Sequence, residues 1–366
     1  MDVRWLYKIF TGVLVAFGSV LVLFLVLEIS VRVYSTLFFA RMMGLDDRLG
    51  WRHEKNVSKT FRNEDLEYVA VKQNGHGHRG RDHGSVKATG KSRILILGDS
   101  FTEGVHVKED ELFSSRLEAM NPDLEAMNAG VGGYGTVQEY LYLVREGLAF
   151  DPDLVLLMFY ENDLSDNCLS YYPGFGPRPY AVWKNGAMQI VEQLDYKEFK
   201  KFIIPVPLWE YLNRHSYLYY FINVSIYQKL FADKMRNLQK LDLEKTRECG
   251  KYGIFFGIIQ KMRSLLTAER VQFGVVLIPT REDVERGSSP TQQPILSFCR
   301  ASGIKCHALL DRFITERSAG QRLYFTNDIH WTRRGHETAA DEIGEFVKAL
   351  SVVSARDKRP WPDGGK

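Results

Sequence analysis

Four short blocks of the 366-residue chain carry residue types suited to acyl transfer. Gly98-Asp99-Ser100 offers a hydroxyl, Asn128-Ala129-Gly130-Val131-Gly132-Gly133 a glycine turn, Asn162-Asp163 an amide, and Asp328-Ile329-His330 an imidazole two residues from a carboxylate. A serine hydroxyl is a poor nucleophile until an imidazole accepts its proton, and the imidazole needs a carboxylate on its other nitrogen to fix the tautomer. His330 and Asp328 can supply both, because residues two apart in an extended segment project to the same side. The tetrahedral oxyanion then needs donors, which the Ser100 N–H, the Gly133 N–H and the Asn162 amide can provide, each worth about 3 kcal/mol. A GDS string alone is short enough to arise by chance; the three further blocks in order give it weight. Set against these roles are Ser100 as a helix cap, His330 as a structural histidine before a helix capped by Thr332, and Asn162 as a turn-tying residue. Asp99 and Asp163 read as tethers of local backbone, and His336 as packing or solvent-facing.

Such residues act together only if the chain brings them to one edge. From Arg93 onward the sequence alternates short apolar runs with amphipathic stretches. The runs are Arg93–Leu97, Leu124–Asn128, Asp153–Tyr160, Gln272–Ile278 and Ile304–Leu310. Continuous rather than alternating apolar runs predict strands covered on both faces. Helical periodicity in Glu111–Met120, Gln138–Leu148, Gln292–Ala301 and Arg334–Leu350 completes a repeated βα pattern, an α/β fold with a parallel sheet between two helical layers. Each candidate residue then follows a strand or precedes the last helix, where open α/β sheets bind ligands. The stretch from about 164 to 268 breaks the rhythm and is too long for a loop, so it reads as an insertion rich in Tyr, Trp and Phe. Within it Asn185-Gly186 signals a hairpin, and 208–224 together with the charged stretch through Lys261 reads as helical. Its aromatic residues would either line a substrate groove or pack on the sheet or membrane face.

The ordered set GDS, glycine turn, ND and DxH resembles the SGNH/GDSL hydrolase superfamily over Arg93 to Leu350, less the insertion. The resemblance implies a flavodoxin-like, three-layer sheet of five strands and ester substrates. It places the serine nucleophile on Ser100, the histidine base on His330, its supporting aspartate on Asp328, the oxyanion glycine on Gly133 and the oxyanion asparagine on Asn162. Gly130 and Gly132 are alternatives for the glycine. Asn74-Gly75 through Arg79-Gly80 resembles a glycine-arginine lead-in of membrane-anchored bacterial members. One departure is Tyr160, where the family usually has a glycine two before the asparagine; a tyrosine there is expected to narrow the pocket or change the acyl group admitted.

Ile9 to Leu27 is a run of nineteen uncharged residues, roughly 29 Å of helix, which matches one bilayer crossing. It exceeds a signal-peptide apolar core, and Glu28, Arg32 and Tyr34 after it supply no small-x-small cleavage site. The expected layout is a stub at 1–8, a membrane helix at 9–29 contacting the lipid bilayer, an irregular lead-in at 30–92, the hydrolase-like domain at 93–350 outside the cytoplasm, and a polar tail at 351–366. With 48 Lys+Arg against 45 Asp+Glu and no long basic run, nucleic acid is disfavoured as a partner. His76, His78 and His83 lack a helical metal-ligand spacing and fit glycine-rich turns better, so no metal or cofactor is expected. Four cysteines, Cys168, Cys249, Cys299 and Cys306, are too few for a disulfide scaffold; Cys299 and Cys306 are close enough in sequence to bridge outside the cytoplasm. The function expected is a membrane-tethered serine esterase acting on an ester or acylated carbohydrate. Its alternatives are an O-acyltransferase using the same residues and a non-catalytic glycan-binding or assembly module.

Overall fold

The computed structural model describes residues 3–38, 42–172, 175–184, 186–194, 208, 211–212, 215–222 and 249–350. Helix α1 (Val3–Phe38) opens the chain, and its Tyr7–Tyr34 stretch is long and apolar enough to cross a membrane. Two antiparallel pairs follow, β1 (Met43–Asp46) with β2 (Gly50–His53) and β3 (Ser58–Arg62) with β4 (Tyr68–Lys72). Next come β5 (Ser92–Leu97), α2 (Ser100–Glu103), α3 (Phe113–Met120), β6 (Leu124–Asn128), α4 (Thr136–Arg145), β7 (Leu154–Phe159) and α5 (Asp163–Asp166). The insertion holds β8 (Tyr171–Tyr172), β9 (Gly176–Pro177), the hairpin of β10 (Tyr180–Lys184) and β11 (Ala187–Val191), and α6 (Tyr217–Ile222). The chain returns through α7 (Lys251–Ala268), β12 (Gln272–Leu277), α8 (Arg281–Arg286), α9 (Gln292–Ser302), β13 (Lys305–Ala308), α10 (Leu310–Ser318) and α11 (Arg333–Ala349).

Five parallel strands lie in the order β6-β5-β7-β12-β13, the flavodoxin-like arrangement. Every residue of β7 is buried because helices cover both faces. Leu95, Val155, Leu157 and Val275 face a core closed by α4, α7 and α9. Ile94, Ile96, Leu156 and Val276 face the opposite core under α3, α10 and α11. The alternation follows the two-residue period of a strand, and each buried Leu, Ile or Phe contributes about 1.5–3 kcal/mol. Strand order reverses between β5 and β7, which opens a crevice at their carboxyl ends. Ser100 follows β5 and Asn162 follows β7, so both sit at that edge.

Two boundaries differ from the sequence reading. The lead-in at 30–92 is not irregular: α1 runs to Phe38, and the two short antiparallel pairs bury Trp51, Val69 and Val71. Strands of four and five residues give too short a pattern to register as a period. The end of the insertion is also earlier, because α7 buries Ile254, Phe255, Ile258, Ile259, Met262 and Leu266 against the sheet and forms part of its helical layer. A disulfide joins Cys168 to Cys249 at the insertion's base, and a second joins Cys299 at the end of α9 to Cys306 in β13. The hairpin flanks the expected Asn185-Gly186 turn, with Lys184 paired to Ala187; Asn185 itself lies outside the described residues. Most of the helical reading between 208 and 248, and the tail at 351–366, also lie outside them.

Candidate active site

Ser100 opens α2 immediately after β5. The Asp99 carboxylate accepts the Phe101 N–H at 2.9 Å and caps this turn, while Gly98 leaves room for Thr102, whose Oγ1 would stand 2.1 Å from a Cβ there. Ser100 Oγ lies 2.7 Å from His330 Nε2, and His330 Nδ1 lies 2.5 Å from Asp328 Oδ1. The same carboxylate oxygen accepts the His330 backbone N–H at 2.8 Å. The hydrogen bond from the His330 ring is the main cause holding the Asp328 carboxyl well below the usual range. The three side chains form a continuous relay from hydroxyl to carboxylate, partly open to solvent, a geometry suited to proton removal from the serine.

The loop carrying Asp328 and His330 is held from two sides. Arg281 donates to the carbonyls of Phe325, of Thr326 at 2.8 Å and of Asp328 at 2.5 Å. From the β3–β4 connection, the Glu64 carboxylate accepts the N–H groups of Thr326 at 2.8 Å and Asn327 at 2.7 Å. Thr332 caps α11 through Gly335, so a capping residue and the imidazole occupy adjacent turns without exchanging roles.

Around the glycine turn, the Gly130 N–H goes to Asn128 Oδ1, Val131 N–H to the Gly98 carbonyl, Gly132 N–H to Glu103 Oε2 and Tyr134 N–H to the Val131 carbonyl. Gly133 and Ser100 keep backbone N–H groups without a partner among the described residues. Gly133 has φ of +75°, and a Cβ would meet the Tyr172 ring at 3.1 Å, so both conformation and space select glycine. The Asn162 amide is placed differently from a free donor. It donates to Asp99 Oδ2 at 3.2 Å and Asp166 Oδ2 at 3.0 Å, and burial pushes Asp99 up and Asp166 up to about 6. Asp99 and Asp163 do tether local backbone, the latter accepting the Tyr160 N–H at 3.0 Å.

Tyr160 requires a correction. Its side chain is buried in the core with its ring 4.3 Å from that of Phe101, so it packs beneath the serine turn and is not a pocket-narrowing group. His336 is buried, with its ring stacked on Phe113, which settles its reading as packing. His76, His78 and His83 also serve packing: His78 meets Tyr142 Oη at 2.5 Å, His83 meets Glu118 at 2.5 Å, and His76 meets the His83 carbonyl at 3.1 Å.

Sequence reasoning missed several supporting residues. His106 stacks on His330 and stands 3.5 Å from the second oxygen of Asp328. Buried Glu103 links the turn to the lead-in, accepting from Gly132 and pairing with His53 at 2.9 Å. Arg79 is buried and donates to the carbonyls of Glu103, Gly104 and Val107. Trp51 Nε1 donates to the Gly132 carbonyl at 3.0 Å, and Arg178 lies buried over the rings of Trp51 and Tyr172, 3.7 Å from Asp166. The Asn74–Gly80 resemblance pointed at Arg79, but nothing local in the sequence pointed at the others.

A parallel sheet of this order with a serine–histidine–aspartate relay at its switch point defines a hydrolase-like α/β domain. A GDSL-like Lipase/Acylhydrolase model matches residues 94–203, and an SGNH hydrolase-like domain model, acetyltransferase AlgX, matches residues 256–361. The first spans Ser100, Gly133 and Asn162, the second Asp328 and His330, and the two matches together support the SGNH/GDSL hydrolase superfamily. Among curated proteins, none matches the sequence significantly. Similar solved structures include a two-domain esterase active on acetylated mannans, at 13% identity and TM-score 0.38, covering 75% of this chain and 53% of that one. The chain thus spans about half the length of that esterase. A member of the lipolytic protein G-D-S-L family from Veillonella parvula is 13% identical with TM-score 0.37, covering 70% and 98% of the two chains. An acetyl xylan esterase, AlAXEase, is 14% identical with TM-score 0.37, covering 70% and 99%.

Proposed function

We propose that the protein is a membrane-tethered serine esterase that removes acyl groups, most simply acetyl, from envelope or extracellular polysaccharide. The observation that carries this reading is the 2.7 Å contact of Ser100 Oγ with His330 Nε2, continued at 2.5 Å to Asp328. His330 takes the serine proton as Oγ attacks the ester carbonyl, and the Ser100 and Gly133 N–H groups receive the developing oxyanion. Collapse expels the sugar alkoxide, which takes the proton back from His330 and leaves an acyl-serine. Water, activated by His330 in turn, releases the acid and restores Ser100. Replacing that water with a sugar hydroxyl gives O-acyl transfer, a second reading favoured by the acetyltransferase-type family match over residues 256–361.

The tether is the apolar stretch Tyr7–Tyr34, with the catalytic domain on the extracytoplasmic side. Two disulfides favour that side, since such bonds persist in oxidising compartments. A non-catalytic glycan-binding module would have no use for the complete relay. Labelling with a fluorophosphonate, compared between wild type and Ser100→Ala, tests the proposal. The expected result is a label on the wild type that disappears in the variant; no label on folded wild type removes the enzyme reading.

A further inference from the structure

In α1 the apolar run ends at Glu28 and Arg32, which pair at 2.7 Å one turn apart. Neither is satisfied by the other alone. The Glu28 carboxylate accepts from Ser216 Oγ at 2.7 Å and from the backbone N–H groups of Tyr217 at 2.9 Å and Leu218 at 3.0 Å. Arg32 donates to the His215 carbonyl at 2.6 Å and lies 5.0 Å over the Tyr217 ring. A carboxylate on α1 therefore caps the first turn of α6, almost two hundred residues later in the chain.

Helix α6 reads Tyr-Leu-Tyr-Tyr-Phe-Ile, without a charge or a helix-breaking residue. Phe221 and Ile222 are 39% and 42% exposed, and Leu208 and Tyr211 ahead of it are also exposed. Exposed apolar side chains in water are costly, and tyrosines concentrate where a bilayer meets water. Charged groups at the end of a membrane helix persist when they are partnered, and here the partners come from α6.

Resting on the membrane-tethered reading, we propose that α6 is an interfacial helix, docked on the end of α1, with its aromatic face seated in the headgroup region of the same bilayer. Continuity selects lipid as the occupant: α6 is bonded to the helix that enters the membrane, at the level where that helix leaves it. The insertion then holds the membrane at a second place and limits the heights and tilts open to the catalytic domain.

The test uses the full chain in phosphatidylcholine vesicles. All four native cysteines are in disulfides, so one introduced cysteine carries an NBD fluorophore alone. Ile222→Cys reports α6, Val22→Cys reports the span, and Val86→Cys, at a position 87% exposed, reports water. A doxyl lipid labelled near the glycerol, matching an apolar face about 5–10 Å into the boundary, should quench position 222 severalfold more than position 86. Aqueous iodide should quench position 86 but spare 222. Glu28→Ala should move position 222 toward iodide quenching while position 22 stays lipid-quenched; no change at 222 would overturn docking on α1. Iodide quenching of 222 like 86, with 22 still in lipid, overturns this proposal and leaves the tether standing. Iodide quenching of 22 overturns the tether itself. Position 222 shielded from both quenchers assigns the face to protein and overturns lipid contact.

Discussion

His106 lies flat on His330, with ring centroids 4.3 Å apart and planes 20° from parallel, and its Nε2 faces the Asp328 oxygen that His330 does not use. Burial first, and the neighbouring His330 second, push His106 down to about 4. A neutral ring in that place shields the His330–Asp328 pair from water and adds no positive charge beside the imidazolium. His106→Ala is expected to lower kcat/KM for a small acetyl ester about tenfold, equivalent to about 1.4 kcal/mol, with His106→Phe recovering part through the stack. Equal activity in all three proteins would reduce His106 to filler.

The same shift fixes the shape of the pH profile. His106 is neutral above about 4, and Asp328 is ionised across the neutral range. The activity should therefore rise with pH on a single-proton limb, to which His106 adds no second proton. A two-proton limb would show that His106 does titrate in that range. For stability, His106 has a folded pKa below its unfolded value, so its contribution is present above about 6.5 and is lost as pH falls toward about 4. Thermal melts of wild type and His106→Gln across that interval check the sign: the wild type should lose more on acidification.

Asp328→Asn tests the relay at its far end. The variant should fold normally and lose up to about 10⁴ in turnover, because an amide presents the wrong partner to His330 Nδ1. Near wild-type turnover with an unmoved pH profile would separate Asp328 from the chemistry and turn attention to Asp99, the other carboxylate beside Ser100.

Asn162 is the sharpest case, because both of its amide hydrogens are directed at Asp99 and Asp166. To meet an oxyanion it must release one of them. As an oxyanion donor, Asn162→Ala should lower kcat about 10²–10³ with fluorophosphonate labelling still measurable. Unchanged turnover would assign Asn162 to holding the two carboxylates.

The five strands of the sheet were legible because strands buried on both faces write continuous apolar runs, as β7 does. Ser100, Asp328 and His330 were legible for a related reason: each stands beside a strand end or a helix start, and their spacing is local. The rest depended on contacts distant in sequence. His53 meets Glu103 across fifty residues and Glu64 meets Thr326 across 262, and neither pair leaves a periodic trace. Tyr160 looked like a pocket residue because it stands two before Asn162, but it turns inward onto Phe101. Helices α8 and α10, of six and nine residues, carried too little pattern to be read.

The bridge from Cys168 to Cys249 gives the insertion a neck. Its Cα atoms are 6.3 Å apart although 81 positions separate them, so the stretch between leaves and rejoins the domain at nearly one point. Once the ends of a loop are fixed, doubling its length costs only about 0.6 kcal/mol more in closure entropy. The near part of that stretch still belongs to the site, because Tyr172 packs on Gly133 and Arg178 stands 3.7 Å from Asp166. Beyond the β10–β11 hairpin, segments can be lengthened, trimmed or resurfaced while the groups at the sheet edge keep their places.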